Sequence, residues 1–130
     1  MITAVQLPEK AAEKTPQVVN GRTSKVVETF DITDADITID IVDNAEADGD
    51  QVSLFFNGNE VANKITLTEK TVSYKLKAVK GVNSIIMFAE NLGTTPPNTA
   101  LMLIRSGGKE YRATVRSDLK ESGAVQLNFK

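Results

Sequence analysis

Five oxygen-bearing side chains crowd one short stretch: Asp43, Asn44, Glu46, Asp48 and Asp50 in the run DNAEADGD. Carboxylate and amide oxygens at that density suit a hard cation, and calcium takes about six to eight such ligands. Asp43, Asp48 and Asp50 are the first candidates as metal ligands, with Asn44 and Glu46 behind them. The spacing is not that of an EF-hand loop, which needs D-x-[DN]-x-[DN]-G and a closing glutamate. A second reading of the same residues is structural, with Asp43, Asn44 and Asp48 accepting backbone N–H bonds and shaping the turn. Charge repulsion does not choose between the two, because unit charges about 4 Å apart in water interact by only about 1 kcal/mol. Calcium is thus the one cofactor the residues point to, and no organic cofactor is expected.

The second constellation is ENLGTTPPNTA, where Glu90, Asn91, Asn98 and Thr99 flank a loop stiffened by Pro96 and Pro97. Prolines fix φ, and rigid loops on β scaffolds often bind ligands. The alternative is that Asn91 and Asn98 serve the backbone of a long crossover.

Catalysis has little to work with. The chain contains no histidine and no cysteine, which removes the commonest general base at neutral pH, thiolate nucleophiles and the usual zinc ligands. The acidic residues could in principle act as a glycosidase pair, but they share one turn and no cleft-lining aromatics accompany them. The expectation is a protein that is not an enzyme.

The elements that must position these loops read as strands. Ile37, Ile39 and Ile41 alternate with Asp36, Thr38 and Asp40, the period of a strand with one buried face. Val52, Leu54 and Phe56 alternate with Ser53, Phe55 and Asn57, and Asn57-Gly58 then closes a two-residue hairpin. Glu60 to Ala62 is a short return strand, followed by Ile65 to Leu67. Val72, Tyr74 and Leu76 face inward against Ser73, Lys75 and Lys77. Asn83 to Glu90 is the most apolar piece and predicts a central strand covered on both faces. Ser106 to Lys109 is a hairpin signature between two further strands, and Val125, Leu127 and Phe129 share one face of the last. Upstream, Ser24 to Asp31 reads as extended, with Val26, Val27 and Phe30 available for packing. Residues 1–22, with Pro8 and Pro16, form a leader or linker, and residues 23–130 form the domain. About eight to ten short strands and no convincing long helix give an all-β fold, a single antiparallel β-sandwich of Greek-key or jelly-roll type.

At 130 residues the chain is one domain's worth, long enough for a single core. Its net charge of −2 hides an asymmetry: from Val26 to Asn63 there are ten acidic residues and no lysine or arginine. Weak net charge, no tryptophan and few aromatics argue against a nucleic-acid surface, which wants a basic groove with stacking platforms. No apolar run approaches the roughly 20 residues of a membrane span, so no membrane insertion is expected.

The runs DNAEADGDQVSLFFNGNEV, AENLGTTPPNTALM and SDLKESGAVQLNF resemble a domain that recurs in secreted and surface proteins of bacteroidete bacteria, over about Val26 to Phe129. That resemblance implies an exported β-sandwich, secreted, periplasmic or on the cell surface. The shorter DGDxVxxxxNG portion is similar to calcium-dependent carbohydrate-binding modules of the xylan-binding type, in which a loop-bound calcium contacts sugar hydroxyls. On that similarity Asp43, Asp48 and Asp50 inherit the metal role, although the chain lacks the disulfide and the aromatic platform many such modules carry. The resulting expectation is a non-catalytic binding or adhesion module with polysaccharide as partner. The alternative is a structural or assembly protein whose edge strands or N-terminal arm engage another protein chain.

Overall fold

A computed structural model describes residues 18–19, 21–43, 51–91 and 98–130, with only the backbone described at 18–19. Among the described residues ten strands run in chain order: β1 (Val18–Val19), β2 (Arg22–Ile32), β3 (Asp36–Asp43), β4 (Gln51–Phe56), β5 (Asn59–Thr66), β6 (Val72–Lys77), β7 (Gly81–Ala89), β8 (Asn98–Ser106), β9 (Lys109–Ser117) and β10 (Glu121–Phe129). They form a six-stranded sheet, β1-β2-β10-β7-β4-β5, and a four-stranded sheet, β6-β3-β8-β9. The described residues include no helix, and so none long and apolar enough to cross a membrane.

Period-two patterning explains why the two sheets stack. Ile37, Ile39 and Ile41 share one buried cluster with Val52, Leu54, Phe56, Ile85, Met87, Met102, Ile104, Val115, Val125 and Leu127. Each fully buried side chain of this size contributes about 1.5–3 kcal/mol relative to exposure. The turns follow local chemistry: Asn57 and Gly58 take φ of 51° and 84°, the left-handed pair a tight hairpin requires.

Several elements differ from the sequence expectation. Every strand pair is antiparallel except β2 with β10, which run parallel from Thr23↔Glu121 to Ile32↔Phe129. A bulge lies in that pair, where Ala124 faces Val26 but Val125 faces Glu28. The extra residue lets Val27 turn to the core while Val26 remains 38% exposed. Residues Glu60 to Thr66 belong to one strand, not two, because two register shifts against β4, with Lys64 at φ 52°, absorb the irregularity. Phe55, expected on a wet face, is buried with Ile86, Phe88 and Ala124 in a cluster separate from the main core.

Two further contacts fix the layers. Asn83, fully buried, accepts from Val79 N at 2.8 Å and Asn57 Nδ2 at 3.0 Å, and donates to Val79 O, Gly81 O and Leu127 O. One amide thus ties the β6–β7 connection to β10 with all its capacity used. On the outer face of the four-stranded sheet, Arg105 Nη1 stands 2.6 Å from Asp40 Oδ2, and Ser73 Oγ donates to Asp40 Oδ1. The guanidinium chiefly, with the hydroxyl, holds the Asp40 carboxyl below its ordinary value of 3.8 against the opposing effect of burial.

At Gly123 the layers approach closely: a Cβ there would lie 2.3 Å from Arg116 O and 2.5 Å from Val115 Cγ1. Because the obstacle is partly backbone, Gly123→Ala is expected to cost about 3 kcal/mol, as overpacking does, read as a lowered urea midpoint; an unchanged midpoint contradicts this packing. The depressed Asp40 carboxyl contributes stability that is present above 3.8 and lost as the pH falls through its lower folded value. Asp40→Asn is therefore expected to flatten the acid-side decline of the urea midpoint.

Candidate functional site

Strand direction decides where the two constellations meet. The acidic turn leaves β3 at Asp43 and enters β4 at Gln51, while the proline loop leaves β7 after Ala89 and enters β8 at Asn98. Val52↔Ala89 and Asp43↔Ala100 are paired in register. Both connections therefore span from one sheet to the other at the same end of the sandwich. Asn44, Glu46, Asp48 and Asp50 lie outside the described residues, as do Pro96 and Pro97. Among the described residues no group of three or more acidic side chains could hold a metal ion.

The bases of both loops are joined by one hydrogen-bond network. Gln51 O accepts from Glu90 N at 2.8 Å, Asn91 N at 3.4 Å and Asn98 Nδ2 at 3.4 Å. Gln51 N donates to Asn91 Oδ1 at 2.9 Å, and Asn98 Nδ2 donates to Asn91 O at 2.6 Å. Two carbonyl acceptors fix which way the Asn98 amide faces. Its other atom, Oδ1, is buried with no hydrogen-bond partner among the described residues, and Asn98 is 0% exposed. An unpaired buried acceptor is costly, so this oxygen stands ready for a donor or a cation.

Glu90 and Thr99 take different positions. Glu90 Oε2 accepts a 2.6 Å bond from Ser53 Oγ, which in turn accepts from Lys64 N at 3.0 Å. That chain ties Glu90 to the bulge in β5. Thr99 is half-buried and paired with Arg116 of β9. Asp43, half-buried at the end of β3, donates its backbone N–H to Thr68 O at 3.0 Å. The structure thus gathers Asp43, Glu90, Asn91, Asn98 and Thr99 at one end.

Sequence reasoning missed other residues there. Arg22 Nη1 donates to Ala89 O at 2.8 Å and to Asp118 O at 3.1 Å, and its guanidinium lies 3.7 Å from the centroid of the Phe88 ring. The backbone N–H groups of Lys120 and Glu121, both 2.7 Å from Asp118 Oδ1, hold that carboxyl below the usual range. Beside them a cleft of about 220 Å³ is lined by Lys25, Val27, Arg116, Ser117, Asp118 and Glu121. No local motif marks these positions, because β2 and β10 are neighbours in one sheet and β9 reaches them only by the packing of the other sheet against it. The larger groove, about 400 Å³ along Thr29, Gly81, Val82, Gln126, Asn128, Phe129 and Lys130, shares no residue with either loop.

Removing the Asn98 amide leaves Gln51 O short of one donor and Asn91 O without that of Asn98. Asn98→Ala is expected to lower stability by about 2 kcal/mol, measured by urea unfolding, whereas Thr99→Val stays within about 0.5 kcal/mol. Equal effects of the two substitutions contradict the network. No protein-family model, curated protein or solved structure matches the chain.

Proposed function

We propose that the chain is a non-catalytic binding module of an exported bacterial protein, which takes calcium at the acidic turn and binds carbohydrate across the paired loops. The supporting observation is the Asn98 amide. It opens β8 directly after the proline loop, bonds to the backbone at both loop bases, and keeps a buried oxygen without a partner among the described residues. An amide oxygen is an ordinary calcium ligand. Asn98 would join Asp43, Asp48 and Asp50 around the ion, with Asn44 and Glu46 as further donors. Calcium bound there supplies a fixed positive charge that neutralises the turn and can accept sugar hydroxyls. Glu90, Asn91 and Thr99 flank the same end and supply polar contacts to the ligand.

A second reading, a structural or assembly protein, draws on β2. This strand has eleven residues, and among the described residues its outer side is paired only at Arg22 and Thr23, by β1. An uncovered edge is a template for a strand of another chain.

Calorimetry separates the readings. Calcium is expected to give saturable heat and, at about 100 times Kd, to stabilise by about 2.7 kcal/mol, a melting-temperature rise on the order of 10 °C. Xylo-oligosaccharides are then expected to bind only to the calcium-loaded protein, and Asp48→Asn with Asp50→Asn to abolish both effects. No heat from either ligand together with an unchanged melting temperature overturns the binding reading. Concentration-dependent sedimentation in that case selects the assembly reading.

A further inference from the structure

The outer face of the six-stranded sheet carries a covered apolar patch. Facing away from the main core are Phe55 of β4, Ile86 and Phe88 of β7, and Ala124 of β10, with exposures of 7%, 0%, 6% and 1%. Around them the hydroxyl side chains of Ser24, Ser53, Ser84 and Ser122 are 0–5% exposed. Ser24 and Ser122 keep buried hydroxyls with no hydrogen-bond partner among the described residues. In a two-layer sandwich the outer face of each sheet meets water, and a phenylalanine on such a face does not reach that degree of burial from its own strand neighbours. The two rings meet edge to face at 6.1 Å, and the Arg22 guanidinium is placed over Phe88.

We propose that the chain's own residues 1–17 dock on this face as a third layer. Three observations select that occupant. The chain reaches β2 at Arg22, whose guanidinium already lies on Phe88. β1 runs antiparallel to β2, Val18 against Thr23, so the residues before it are delivered to the level of Ser24, beside the patch. The β3–β4 and β7–β8 connections each begin on one sheet and end on the other, so neither has both its ends on the six-stranded sheet.

Reach and chemistry agree. From β1 to β4 across β2, β10 and β7 is four strand spacings, about 19 Å, while seventeen residues extend to about 56 Å. Pro16 has no N–H with which to continue a ladder beside β2. Met1, Ile2, Val5 and Leu7 supply apolar side chains for Phe55, Ile86 and Phe88, and the backbone supplies groups for the serine hydroxyls.

The native chain has no cysteine, so a single reporter can be placed at Ser84→Cys, next to Ile86 on the covered face. Carrying a benzophenone, it is expected to cross-link within one chain to tryptic peptides from residues 1–17. As an unmodified thiol it is expected to be labelled at least about tenfold faster once Ile2, Val5 and Leu7 are replaced together by Asp, or once residues 1–17 are removed. A control thiol at Thr114→Cys, exposed on the other sheet, is expected to react at one rate throughout and to report loss of fold if it does not. Rapid labelling in the intact chain, slow labelling that persists in the Asp variant, or cross-links between chains each overturn the proposal; the last identifies a second copy as the cover.

Discussion

Ile37, Ile39 and Ile41 stand on β3, which is hydrogen-bonded to β6 on one side and β8 on the other. Because successive side chains alternate in direction, a slip of one residue would carry all three isoleucines to the solvent face. Their burial therefore sets the register of the four-stranded sheet, and through it the height at which Asp43 and Asn98 emerge. The opposite sheet answers with Val52, Leu54 and Phe56, so the same constraint sets Gln51. The loop bases follow from the core.

That coupling explains why one end of the sandwich can be pre-organised without a disulfide. Gln51 sits at the first position of β4 and receives three N–H donors from Glu90, Asn91 and Asn98. A carbonyl has two lone pairs, so the two 3.4 Å contacts are the longer, shared ones and the 2.8 Å bond from Glu90 carries the geometry. The opposite end is fixed by a different amide, Asn83, whose bonding capacity is complete. The contrast between a saturated asparagine at one end and an unsaturated one at the other is what separates scaffold from candidate site. Arg22 adds a clamp at the same end, joining β7 to the β9–β10 turn.

Local periodicity made most strands legible. The isoleucines of β3, the inward row of β6 and the last strand all declare their faces through near neighbours, and Asn57-Gly58 declares its turn through backbone angles. Partner choice is not local. Nothing in VVETF or AVQLN announces that β2 and β10 lie parallel, nor that a bulge between them turns Val26 outward. Phe55 misled for a related reason: alternation says which way a side chain points, not what else lies over it. At the site, residue types were readable and their juxtaposition was not, because β3–β4 and β7–β8 come together only through the sheet order. Arg22 and Asp118 carry no motif, and their roles follow entirely from which strands are neighbours.

The position of β10 has a kinetic consequence. This strand lies between β2 and β7, and its pairing joins Thr23 to Glu121 across most of the chain. While a ribosome is still making it, β2 and β7 each present an open row of amides and carbonyls with a gap of one strand between them. Closure so remote in sequence is slow, and exposed rows of that kind capture strangers. Docking of this nine-residue strand is thus the step that joins two half-sheets into one, and an arrest shortly before it leaves both of those rows exposed.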